Sequence, residues 1–163
     1  MKRLIIVRHA KAVPFGYNDD FSRDLTERGI DDAEKIGLRL KQMGIIGGLV
    51  IASPASRTMH TATVFCRFMA YPVTQIQQEM VLYNGLTTHE FLELLHQISD
   101  DVQTVFVFGH NPTVHQLVYN LVNDFYADMP TCATVAIDFN VAKWSEVSAR
   151  GGRLAFQITP KMI

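Results

Sequence analysis

The chain has 163 residues, of which 48% are hydrophobic, with a formal charge of −1 and two cysteines. That is enough apolar mass for one cored domain spanning residues 1–163. The interspersed charges argue against nucleic acid or an anionic membrane as a partner, since either needs a basic face.

Cys66 and Cys132 stand far apart without metal-ligand spacing. They read as reduced packing thiols, and a cytoplasmic setting is expected. The first apolar run is cut at once by Arg8, His9 and Lys11. It is too short for a signal peptide, and no segment approaches a membrane span.

In chain order, Leu4–Val7 is a continuous aliphatic run, as in a strand covered on both faces. A helix follows from Glu27 to Met43, capped by Thr26 and stopped by Gly44, with Ile30, Ala33, Gly37 and Leu40 on one face. Leu49–Ala52 repeats the strand pattern. A second helix starts near Ala55 and carries Thr58, Ala62, Phe65, Cys66 and Met69. A third runs from Thr88 to Ile98. Thr104–Phe108 is the next buried strand, and a fourth helix begins at Pro112. Ala133–Phe139 and Arg153–Ile158 read as two further strands. This alternation predicts a three-layer α/β sandwich with a mostly parallel central sheet and helices on both faces.

Ligands of such sheets collect beyond the carboxyl ends of the strands. There the sequence reads "VRHA", "ASPASRTMHTA" and "FGHNP". Alone, Arg8 and His9 fit a strand end meeting solvent equally well. Arg57 in the second helix and His110 before the fourth change the balance. Two arginines and two histidines around one point, with no carboxylate among them, describe a phosphoryl-binding pocket. Helix starts would add N–H donors.

The Arg8-His9 pair, Ser53-Pro54-x-x-Arg57 and Gly109-His110 resemble the stations of the histidine phosphatase superfamily, whose fold is phosphoglycerate mutase-like. "DDFSRDLTERG" is similar to the D-x-x-R-P-L-T-x-x-G segment of its short, SixA-like phosphohistidine phosphatases, and "SRTMHTA" is similar to S-R-A-x-Q-T-A. The resemblance implies a covalent mechanism in which His9 takes the phosphoryl group and water then cleaves it. Arg8, Arg57 and His110 would hold the phosphoryl oxygens. An imidazole is a nucleophile only when neutral, and neighbouring guanidinium charges disfavour its protonation. No metal or other cofactor is expected, because the arginines already neutralise the phosphoryl group.

Departures from the pattern sharpen the expectation. Many superfamily members carry a glutamate after the second helix to protonate an alcohol leaving group. Here "QQEMVLYNGLTTHE" offers Glu79 and Glu90 on the flanks, and Tyr83 or Asn84 at the aligned position. A departing imidazole can take its proton from water, whereas an alkoxide needs a placed donor. The missing acid therefore favours phosphohistidine over phosphate esters. Asp24 stands where the branch has Pro and is expected to loosen the loop before Thr26. His60 replaces Gln and is left without a role.

Asp20 and Arg23 either pair with each other or line the pocket mouth, with surface pairing expected for Asp20. Asn111 is a helix cap or a pocket-lining residue. His89 and His96 lack zinc spacing, and His115 reads as structural. The expected partner is a phosphorylated protein or a small phosphorylated molecule. Competing readings are a phosphatase of small phosphate esters and a non-catalytic phosphate-binding protein.

Overall fold

The computed structural model describes residues 1–16 and 19–163. β1 (Lys2–Arg8), β2 (Leu49–Ala52), β3 (Gln77–Gln78), β4 (Thr104–Gly109), β5 (Thr134–Phe139) and β6 (Gly152–Ile158) form one sheet in the order β3-β2-β4-β1-β5-β6. From β3 to β1 the pairing is parallel throughout; β5 runs antiparallel to both β1 and β6. The expected sandwich is therefore observed, with one strand reversed.

The continuous apolar runs are explained by what covers them. Leu4, Ile6, Val105 and Val107 face one layer with α4 (Thr88–His96) and α5 (Thr113–Leu121). Ile5, Val7, Phe106 and Phe108 face the other, built on α1 (Glu27–Gln42) and α2 (Ser56–Met69). Each strand must be apolar on both sides of its pleat.

Thr26 caps α1, its side chain accepting from Gly29 N–H, and the chain leaves the helix through Gly44 at φ 75°. That left-handed angle is one that glycine adopts without strain. The contact between α1 and α2 is tight at Gly37, where any side chain would meet the Phe68 ring. Besides short 3-10 turns, the additions to the expected list are the two-residue β3 and the short α3 (Met80–Asn84). Among the described residues, no helix is long and apolar enough to cross a membrane.

Candidate active site

The strand order explains why distant motifs meet. β4 lies between β2 and β1, so the three motif-bearing strand ends are neighbours. Backbone bonds lock them just past the strands, with His9 N–H donating to the Gly109 carbonyl and Ser53 N–H to the Phe108 carbonyl, each at 3.0 Å. The chain after β1 is held from the other side as well. Cys132 N–H points at the carbonyls of Arg8 (3.1 Å) and His9 (3.0 Å).

The imidazoles of His9 and His110 lie with ring centroids 5.3 Å apart, tilted by 56°. Both rings are buried, as is Arg57. His9 Nδ1 lies 2.7 Å from the Ala10 carbonyl, which can only accept. Nδ1 therefore carries the proton, and in the neutral ring the lone pair sits on Nε2.

Burial pushes the His9 pKa down to about 4; the bond to Ala10 opposes this, and repulsion from Arg57, Arg8 and Arg23 reinforces it. The expected effect of the guanidinium charges is present, but desolvation is the larger cause. Burial likewise takes His110 down to about 3, with Arg57 the next contributor. Both rings are neutral near pH 7.

Ala10 is itself fixed by a buried residue of α2. The Thr61 hydroxyl accepts from Ala10 N–H at 3.0 Å and donates to the Arg57 carbonyl at 2.7 Å. One side chain thus ties the turn that orients His9 to the helix that carries Arg57. Arg8 donates through Nη1 to the Met129 carbonyl, which also accepts from Asn111 Nδ2. Asn111 therefore acts as a tie to the 129 loop; α5 has no side-chain cap.

The expectation for Asp20 needs correction. Its pair with Arg23 does form, at 2.8 Å. Its second oxygen, Oδ2, accepts from Arg57 Nη2 at 3.1 Å and from the Tyr83 hydroxyl at 2.8 Å. A carboxylate thus stands among the site cations, where none was expected. The Tyr83 hydroxyl, followed by Arg23 and Arg57, outweighs burial and holds the Asp20 carboxyl far below the usual range. Arg23 also donates to the Val13 carbonyl, so both residues belong to the site wall.

The two departures from the family pattern meet each other. His60 Nδ1 and Asp24 Oδ1 are 2.8 Å apart, and the same Asp24 oxygen accepts from Leu25 N–H at 2.7 Å. Rather than loosening the loop, Asp24 fastens it to α2. His96 binds the Val147 carbonyl, and the His115 ring packs on Phe125.

Among the described residues, four side-chain atoms are buried without a hydrogen-bond partner: Arg8 Nε, Arg57 Nε, His110 Nδ1 and the acceptor Asn111 Oδ1. Unpaired buried donors are costly. Those on residues flanking an uncharged, properly oriented imidazole are chemically suited to the oxygens of a tetrahedral anion.

Sequence reasoning gave no role to Ser53, Thr61, Tyr83 or the Met129 carbonyl. Ser53 and Thr61 were visible as letters of the quoted motifs. Tyr83 and Met129 act over 63 and 121 residues of separation, with no local signal.

The serine/threonine-protein phosphatase Pgam5, mitochondrial, of Drosophila persimilis is 32% identical over 84 residues, 52% of this chain. The match spans only 29% of that protein's length. An uncharacterized chloroplastic protein of Arabidopsis thaliana is 25% identical over 162 residues, covering 93% of this chain and 72% of that protein.

Among solved structures, SixA from Agrobacterium tumefaciens superposes with a TM-score of 0.82 at 24% identity, over 98% of each chain. The protein histidine phosphatase SixA complexed with tungstate gives 0.79 at 22% identity, again over 98% of each. These likenesses establish the phosphoglycerate mutase-like fold. Residues 4–98, more than half of the chain, match the pattern of the histidine phosphatase superfamily (branch 1), and the protein belongs to that family.

Proposed function

We propose that the protein is a metal-independent phosphatase whose substrate is phosphohistidine, presented by another protein. The observation that carries this reading is His9: neutral, anchored through Nδ1 to Ala10, and set 5.3 Å from a second neutral imidazole. His9 Nε2 attacks phosphorus, and the P–N bond to the substrate imidazole breaks. The departing nitrogen takes a proton from water. A second water then attacks the phosphohistidine on His9, releasing inorganic phosphate and restoring the Nε2 lone pair. Arg8, Arg57 and His110 bind the transferring oxygens. Phosphoryl transfer asks a protein chiefly for such positioning and charge stabilisation.

Neither Tyr83 nor Asp20 is free to act as an acid, which supports the substrate class. Tyr83, at the aligned position, gives its hydroxyl to Asp20 and has its pKa raised by that bond. Asp20 is ionised and holds no proton to give. The fold shared with a protein histidine phosphatase points the same way, and residues 1–163 would act as one unit in the cytosol. One observation favours a second reading: a relative named as a serine/threonine-protein phosphatase shares 32% identity over 84 residues, which suggests ester substrates on proteins.

The test compares turnover of a phosphohistidine peptide with phosphoserine and phosphothreonine peptides and sugar phosphates, without added metal. The proposal expects clear preference for phosphohistidine. Preference for the esters would replace it with the second reading, and no turnover of any would leave a phosphate-binding protein.

A further inference from the structure

We propose that Ser53 is a positioning residue that fixes the tautomer of His110, holding its proton on Nδ1 so that the ring donates to the phosphoryl group. The inference rests on the reading of His110 as an oxygen-binding donor and says how a neutral ring comes to donate at that edge.

A count of protons selects the tautomer. Ser53 is fully buried at the end of β2, and its Oγ lies 2.8 Å from His110 Nε2. The hydroxyl has one proton. Its other neighbour is the Ala55 N–H, which donates to it at 3.4 Å. Among the described residues, His110 Nε2 is therefore the acceptor within reach of the Ser53 proton. With the serine donating, Nε2 must hold a lone pair, and the single proton of the neutral ring resides on Nδ1. The alternative is costly on two counts. If Nε2 carried the proton and donated to Ser53, the buried serine O–H would lose its acceptor. His110 Nδ1, which is buried and unpaired, would then present a bare lone pair beside Arg57 and repel an anionic oxygen.

The backbone makes this serine well placed to set the ring. Ser53 N–H is tied to the Phe108 carbonyl, one strand over and two residues before His110. Its carbonyl accepts from the Thr58 hydroxyl at 2.8 Å. Serine and imidazole thus stand just past the ends of adjacent strands, β2 and β4, at a separation set by the parallel ladder. An alanine at 53 would keep the backbone and remove the proton that selects the tautomer.

The experiment uses the full chain labelled with 15N-histidine. Long-range 1H–15N spectra report which ring nitrogen bears the proton, and the His110→Ala spectrum identifies the His110 signals by their loss. Wild-type protein is expected to show His110 protonated on Nδ1. Ser53→Ala is expected to shift the ring toward the Nε2–H form and to lower kcat on a phosphohistidine peptide by roughly 10–100-fold, by analogy with the hydrogen-bond partners that fix the tautomer of metal-binding histidines. KM would change less than kcat.

A wild-type ring protonated on Nε2, with His110→Ala inactive, overturns the Ser53 inference alone. So does a Ser53→Ala enzyme with unchanged tautomer and full turnover. Full activity of His110→Ala overturns the donor reading itself, and this inference with it. The wild-type spectrum, assigned with His110→Ala, does not depend on Ser53→Ala, so the test survives a Ser53→Ala chain that fails to fold.

Discussion

Asp20 grips Arg57 twice, its backbone carbonyl accepting from Nη1 at 2.8 Å and its carboxylate from Nη2 at 3.1 Å. Both terminal nitrogens of a guanidinium proposed to bind phosphate are thus engaged by one residue of the 19–24 loop. The carbonyl bond positions Arg57; the carboxylate puts a negative charge where a dianion must come. Asp20→Asn keeps the first and removes the second. We expect inorganic phosphate to inhibit the variant more strongly, by up to about tenfold, with the gain shrinking at high salt. Weaker inhibition would mean that the carboxylate is needed chiefly to hold Arg57 in place.

Arg57→Lys keeps the charge but loses the planar fork and the Nε donor. Turnover is expected to fall on the order of 10²–10³-fold, as for other preorganised donors. A loss below tenfold in steady-state kinetics would show that charge alone suffices at this position.

Tyr83→Phe removes the hydroxyl while leaving a ring to pack edge-on against Phe21 and His110. A general acid is worth roughly 10²–10⁴ in rate. Tyr83 is not proposed as one, so kcat on phosphohistidine is expected to stay within a few-fold of wild type. A hundredfold fall would identify Tyr83 as the missing acid and reopen ester substrates.

The depressed imidazoles make stability depend on pH in a stated direction. His9 and His110 have folded values of about 4 and about 3, against 6.5 for the free side chain. Below about pH 6.5 the unfolded chain binds protons that both rings refuse when folded. Their contribution is complete above that pH and is lost progressively as pH falls toward the folded values. Urea midpoints measured from pH 7.5 to 5 are expected to decline, and His9→Asn to decline less steeply. An identical slope in the variant would contradict the account of the His9 shift.

Thr61→Val is nearly isosteric but strips the acceptor from Ala10 N–H, which lies in a fully buried setting. An unsatisfied buried donor costs about 1–3 kcal/mol, readable as a lower thermal midpoint. Turnover is expected to fall with it, because the turn that carries the His9 anchor loses its tie to α2.

The legible parts of this molecule were those written locally. Buried parallel strands announce themselves as unbroken aliphatic runs, and Leu49–Ala52 was located to the residue. The placement of Arg8, His9 and His110 at strand ends, and of Arg57 in the helix that follows one, came from those runs, and the rings of His9 and His110 do converge. Asp20 was harder. Its contact with Arg23 lies three residues away and was readable, whereas its bonds to Arg57 and Tyr83 span 37 and 63 residues. Asp24 and His60 looked like separate departures because nothing local links residues 36 apart. The Gln77–Gln78 strand is polar, exposed and two residues long, so it lacks the pattern by which strands are recognised.

The central claim is that His9 Nε2 becomes covalently bonded to phosphorus during turnover. Rapid quenching with a 32P-labelled phosphohistidine peptide tests it most directly. The account predicts a transient phosphoenzyme that is labile in acid, stable in base, and absent from His9→Ala. Full turnover by His9→Ala, or a trapped phosphoenzyme with ester-like stability, would contradict it.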